Sequence, residues 1–221
     1  MSDLAVIFDL DGVLIDSSEF HWESWQVMGR EDGFTMTAEL FRRTFGMPNR
    51  AILPELYGRA MADAEITELS ERKEAHFRTL AQGRLQALPG GVELAHALAA
   101  AGIPIAIGSS TPLSNIRVAL ESIGVERCFQ QIVCADDVTK GKPDPEVFLK
   151  AAGELGAAPG VCVVIEDAVV GVAAAKAAGM RCLAVTTTHP APALAAADRV
   201  VASLAGITPA DLAALLPDVP A

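Results

Sequence analysis

Two patterns alternate along the chain. Short apolar runs rich in Val, Ile and Ala occupy residues 4–8, 103–107, 131–134, 161–165 and 182–186. Unbroken apolar runs of this length read as strands buried on both faces, as in parallel sheets. Between them, residues 92–101, 113–123, 146–155 and 169–178 read as helices. Strand–helix alternation predicts an α/β fold with a doubly wound, Rossmann-like parallel sheet. Residues 198–202 add an edge strand and 209–216 a last helix.

One stretch departs from this rhythm. From Glu19 to Gln86 the apolar positions, among them Phe20, Trp22, Trp25, Met28, Leu40, Ile52 and Phe77, have helical character, and no strand is evident. Gly46-Met47-Pro48-Asn49 interrupts them as a turn. About 70 helical residues are far more than a crossover between parallel strands needs. The expectation is a helical cap domain at 17–86, inserted into a catalytic core domain made of 1–16 and 87–221.

Polar residues follow the strands at informative places. The first run ends in Asp9-Leu10-Asp11-Gly12, which puts two acids at the strand's C-terminal end, where parallel α/β sheets bind ligands. Ser109, Ser110 and Thr111 follow the second run, just before Pro112; hydroxyls and free N–H groups at a helix start suit a phosphate. Lys142 precedes Pro143, which favours an extended conformation and can aim a fixed charge at an anion. Glu166 and Asp167 follow the fourth strand. Taken singly, each motif has a plain explanation as a turn, a helix cap or a solvated loop lysine. Together they bring four acids to one sheet edge. Two like charges about 4 Å apart repel by roughly 4 kcal/mol at an effective dielectric of 20, so the cluster calls for a cation. All-oxygen ligation suits Mg²⁺. Cation, phosphate site and nucleophilic carboxylate together specify phosphoryl transfer.

Composition narrows the partners. The 221 residues carry a net charge of −11, which disfavours nucleic acid and anionic membrane surfaces. No segment reaches membrane-span length. Four cysteines without a C-x-x-C pair read as buried free thiols of a reducing compartment. With no leader-like N-terminus, a cytoplasmic monomer acting on a small phosphorylated metabolite is expected.

The ordered set Asp9-x-Asp11-Gly12-Val13, Ser109, Lys142-Pro143, Glu166-Asp167 resembles the haloacid dehalogenase superfamily, in its β-phosphoglucomutase-like branch with the cap after the first motif. The resemblance spans essentially the whole chain. It implies Asp9 as nucleophile and Asp11 as general acid/base. Ser109 and Lys142 would grip the phosphoryl group. Asp9, the Asp11 carbonyl, Asp167 and Glu166 would hold Mg²⁺, Glu166 directly or through water. In the cap it implies substrate contacts from His21, Trp25, Lys73 and the loop at Gly46, with His21 brought beside Asp11 and Trp25 lining a sugar pocket. Lys73 also fits a solvated charged face. His76 and His96 read as surface positions, and His189 as a loop residue.

Two departures bear on activity. Asn49 stands where a mutase offers an Arg to a second phosphate, with Arg50 one position later. Pro112-Leu113 replaces a Lys-Asn pair. These losses favour a phosphatase acting on a sugar phosphate through an aspartyl-phosphate. The alternative is β-phosphoglucomutase or a related intramolecular phosphomutase. A dehalogenase would not need Asp11, and a non-enzymatic scaffold would be expected to have lost a motif residue.

Overall fold

The computed structural model describes residues 4–45 and 47–217. Segment Ser17–Arg84 forms one compact unit, and the flanking segments together form the other.

The larger unit is built on six parallel strands: β1 (Ala5–Phe8), β2 (Ile105–Gly108), β3 (Gln131–Val133), β4 (Cys162–Glu166), β5 (Arg181–Val185) and β6 (Arg199–Val201). Their order is β3-β2-β1-β4-β5-β6. Chain order reverses between β1 and β4, so a crevice opens beyond the carboxyl ends of these two strands. Phe8 sits level with Ile165 on one side and Ile107 on the other. The residues that follow, Asp9 and Glu166, therefore emerge side by side.

Burial explains the composition of the strands. β1, β2 and β4 are buried throughout, whereas edge strands β3 and β6 are half-buried. Helices α5 (Gly91–Ala100), α6 (Leu113–Ser122), α7 (Glu146–Glu154), α8 (Val169–Ala177) and α9 (Pro209–Ala213) complete this unit. On one side of the sheet, Ile7, Ala106 and Val164 share a core with Val147 and Phe148 of α7 and Val172 and Ala175 of α8.

Strand β2 starts two residues later than the pattern suggests. Pro104 has no N–H to give a ladder; its carbonyl accepts from Val6 instead, at 3.0 Å. The last helix is also shorter than the expected 209–216. At Gly108, the last residue of β2, a side chain would be crowded: a Cβ there would lie 3.0 Å from both Ile7 and Phe148.

The smaller unit contains α1 (Ser18–Asp32), α2 (Ala38–Thr44), α3 (Asn49–Leu56) and α4 (Asp63–Ala81). Its core gathers Trp25, Met28, Met36, Ile52 and Leu53. All four cysteines are free and buried. Among the described residues no helix is long and apolar enough to cross a membrane.

Phe148 is fully buried and lies under the Lys142 ammonium, 4.7 Å from the ring centre. Phe148→Ala is expected to lower stability by about 3–5 kcal/mol. Urea unfolding checks this; a loss below about 1 kcal/mol would contradict the packing described.

Candidate active site

The site grows from the ends of β1 and β4. Asp9 continues the β1 ladder by donating its N–H to Ile165 at 2.9 Å. The chain then turns tightly: Gly12 N–H donates to Ile15 O at 2.7 Å, and Leu14 N–H to Leu10 O at 2.9 Å. Gly12 has φ +79°, and a Cβ there would collide with the Asp167 carboxylate. Past β4, a Cβ on Gly171 would collide with the Glu166 carboxylate. The two glycines leave room for the two acids.

Asp9, Glu166 and Asp167 are buried, and each offers a carboxylate oxygen within 4.8 Å of the others. Lys142 enters this cluster and donates to Asp9 Oδ1 at 2.6 Å and to Glu166 Oε1 at 2.7 Å. Glu166 Oε2 accepts the backbone N–H groups of Asp167 and Ala168, at 2.8 and 2.7 Å. Both Glu166 oxygens are thus committed to donors of the chain. Asp9 Oδ2 and Asp167 Oδ1 have no hydrogen bond among the described residues. Two uncommitted carboxylate oxygens in a space kept clear by glycine fit a hard, oxygen-preferring cation. Lys142 already counters part of the negative charge.

Electrostatics agree with this geometry. Burial pushes the Asp9 pKa well above the usual carboxylate range; Lys142 pulls it back, while Glu166, Asp167 and Asp11 raise it. Burial, then Glu166, pushes Asp167 up to about 7. Burial works against the Lys142 charge, yet Asp9 and Glu166 carry its pKa above that of an ordinary lysine.

The second motif adds hydroxyls. Ser109 is buried and Ser110 exposed. The Ser109 Oγ accepts the Thr111 N–H at 3.1 Å, which leaves its own proton to donate. Thr111 Oγ1 donates to Asp11 Oδ2 at 2.6 Å. The structure therefore brings together Asp9, Lys142, Glu166 and Asp167, and separately joins Asp11 to the Ser109 loop through Thr111.

The expected cap residues form a second cluster within the helical unit. Lys73 is buried rather than on a solvated face. Its Nζ lies 2.5 Å from His21 Nδ1 and 3.0 Å from Glu74 Oε1. An ammonium only donates, so Nδ1 accepts and the imidazole carries its proton on Nε2. Burial, then Lys73, lowers the His21 pKa well below its ordinary value. His21 stacks on Phe77 with ring centres 4.2 Å apart. Asn49 Nδ2 donates to Glu74 Oε1 at 2.8 Å. Arg50 is exposed and pairs with Asp63 at 3.3 Å. Trp25, expected to line a sugar pocket, is only 2% exposed and packs in the helical unit's own core. The expected contact at Gly46 lies outside the described residues.

Two residues escaped the sequence reading: Thr188, whose hydroxyl donates to Asp167, and Glu74. Thr188 follows an apolar strand, the same signal that exposed the other motifs. Glu74 sits in a charged helical run that gives no sign of burial.

The sequence matches the model of the haloacid dehalogenase-like hydrolases over residues 6–185. It is 33% identical over 198 residues to the validoxylamine A 7'-phosphate phosphatase of Streptomyces hygroscopicus subsp. limoneus, covering 90% of this chain and 92% of that one. It is 34% identical over 211 residues to the chloroplastic 5-amino-6-(5-phospho-D-ribitylamino)uracil phosphatase of Arabidopsis thaliana, covering 95% of this chain but only 57% of that protein. The solved β-phosphoglucomutase of Clostridium difficile is 26% identical, with a TM-score of 0.80 over 92% of each chain. The chain belongs to the haloacid dehalogenase-like hydrolase family. Its relatives named as phosphatases place it by class among the phosphoric monoester hydrolases.

The raised carboxylates give a pH signature. A carboxyl whose pKa rises on folding keeps its proton in the folded chain where the unfolded chain has lost it. Its contribution to stability falls as pH rises from its ordinary value of 3.8 towards about 7. A bound divalent cation offsets that loss and competes with the proton. Mg²⁺ is therefore expected to raise the melting temperature more at pH 8 than at pH 5. Asp167→Asn should remove most of the difference. Equal shifts at both pH values would contradict the assignment.

Proposed function

We propose that the protein is a Mg²⁺-dependent phosphatase that hydrolyses a small phosphorylated metabolite, a sugar phosphate, through an aspartyl-phosphate on Asp9. The observation that carries this reading is the shared lysine. Lys142 fixes one oxygen of Asp9, the other oxygen has no partner among the described residues, and the Ser109 hydroxyl has a proton to donate.

The roles follow from these atoms. An Asp9 oxygen attacks phosphorus and the bond to the sugar oxygen breaks. Asp11 gives its proton to the departing alcohol, then takes one from the water that attacks the phosphorylated Asp9. Phosphate leaves and the Asp9 carboxylate is restored. Lys142 and Ser109 hold the phosphoryl oxygens through these steps. Lys142 has a third N–H beyond those given to Asp9 and Glu166. Asp9, Asp167 and the Asp11 carbonyl would hold Mg²⁺, with Glu166 acting through water because its own oxygens are engaged. When bound, Mg²⁺ neutralises charge that would otherwise repel a carboxylate from a phosphate dianion. Positioning the grip on Ser109 and Lys142, and the sugar on the helical unit, is part of the same proposal.

The phosphatase reading is preferred to a mutase because donors for a second phosphate are already engaged. Thr111 gives its hydroxyl to Asp11, Pro112 has no N–H, Arg50 is paired with Asp63, and Lys73 is buried against His21 and Glu74. Losing a charged hydrogen bond costs about 1.5–3 kcal/mol, so a bisphosphate would be weakly held. The similarity to a solved β-phosphoglucomutase favours the mutase as the second reading. The names of two relatives, the phosphorylated carbohydrates phosphatase of Thermotoga maritima and the hexitol phosphatase A of Escherichia coli, favour a phosphorylated carbohydrate as substrate.

Asp9→Asn keeps the shape of the side chain and removes its charge. Phosphate release is expected to fall below about a tenth of wild type, a barrier increase above about 1.4 kcal/mol. A steady-state phosphate assay with Mg²⁺ checks this; higher residual activity would remove Asp9 from the nucleophile's role. Phosphatase and mutase separate in phosphorus NMR of β-glucose 1-phosphate supplied with a trace of its bisphosphate. Inorganic phosphate is expected as the dominant product. Faster appearance of glucose 6-phosphate would establish the mutase.

A further inference from the structure

The turn after β5 carries a feature that none of the roles above uses. Glu166 of β4 is level with Ala184 of β5, so residues 186–189 lie beside the end of β4. Thr186 N–H is tied to Val201 O at 3.0 Å. Two residues on, Thr188 Oγ1 lies 2.5 Å from Asp167 Oδ2 and 3.1 Å from the Asp167 carbonyl. His189 Nδ1 lies 2.9 Å from the same hydroxyl oxygen.

Proton accounting fixes the direction of this chain. Thr188 has one hydroxyl proton, and the carboxylate oxygen is both the nearer and the stronger acceptor. The Thr188 oxygen then presents lone pairs to the imidazole, so His189 Nδ1–H donates. The order is His189 Nδ1–H to Thr188 Oγ1–H to Asp167 Oδ2. On its other side, Asp167 Oδ2 is confined by Gly12, where a Cβ would collide with it. Oδ1 is left without a hydrogen bond among the described residues.

We propose that Thr188, itself oriented by His189, is a positioning residue that fixes the Asp167 carboxylate with Oδ1 turned to the cation. This rests on the reading of Asp9 and Asp167 as cation ligands. The physical need is plain. Asp167 is buried close to two further carboxylates, and repulsion would rotate a free carboxylate away from them. A donor on the far oxygen holds it in place before the ion arrives. Hydrogen-bond partners of metal ligands commonly matter this much: their loss weakens metal binding by about 10–100-fold.

The test uses Mg²⁺ alone, without substrate, and reads the rise in melting temperature as Mg²⁺ is titrated. Thr188→Val keeps the shape and removes the donor; Thr188→Ser keeps the donor. Thr188 is exposed, so the valine variant should fold, and its melting temperature in EDTA verifies that. The expected result is a half-saturating Mg²⁺ concentration about tenfold higher for Thr188→Val. Thr188→Ser should stay near wild type and His189→Ala should fall between. Enzyme assays should show the same increased Mg²⁺ requirement with little change in substrate KM at saturating Mg²⁺. Asp167→Asn separates two kinds of failure. If Asp167→Asn responds to Mg²⁺ as wild type does, the site is not the cation site. If Asp167→Asn loses the response but Thr188→Val keeps it unchanged, Thr188 has no positioning role. Should Thr188→Val not fold, His189→Ala with wild-type Mg²⁺ response would overturn the proposal, and a weakened response would support it.

Discussion

The ammonium of Lys142 sits between two buried carboxylates, and much of the site depends on that one charge. Asp9 and Glu166 leave adjacent strands at the same level, because β1 and β4 pair in register. Two such charges about 4 Å apart repel by roughly 4 kcal/mol at an effective dielectric of 20. A lysine shared at 2.6 and 2.7 Å converts the repulsion into two attractions. It also divides the acids by role. Glu166 is consumed in holding the lysine and the turn into α8, while Asp9 and Asp167 each retain one uncommitted oxygen.

Space is controlled as carefully as charge. A side chain on Gly12 would displace Asp167, and one on Gly171 would displace Glu166. On the side of β1 away from β4, Gly108 lets Phe148 come close to the sheet, and Phe148 in turn supports Lys142 from below. The apolar core thus reaches the chemistry through the Phe148 ring. Sheet order, glycine placement and the lysine together account for four strand ends meeting at one crevice.

Much of this was legible in the sequence. Continuous apolar runs identified the strands, because burial on both faces excludes polar residues from them. The acids, hydroxyls and lysine after these runs identified the site, because a parallel sheet brings strand ends to one edge. The reading was weaker where the deciding fact was a partner distant in sequence. Trp25 has the chemistry of a sugar platform, yet it packs with Met28, Met36 and Leu53. Lys73 and Glu74 sit in a charged helical run, yet both are buried against His21 and Asn49. Glu166 reads in sequence as a metal ligand, direct or through water, and only the fold shows the three donors that its two oxygens accept. Thr188 belongs to an unremarked run of threonines, and its value lies in a hydrogen bond to a residue 21 positions away.

The central claim is that Asp9 becomes covalently phosphorylated during turnover. Acid quenching of the working enzyme, followed by peptide mapping with mass spectrometry, reads this directly. The account predicts a phosphoryl mass increment on the peptide bearing Asp9, present only with substrate and Mg²⁺ and absent from Asp9→Asn. A phosphoryl group on any other residue, or rapid phosphate release with no adduct trapped at any quench time, would contradict it.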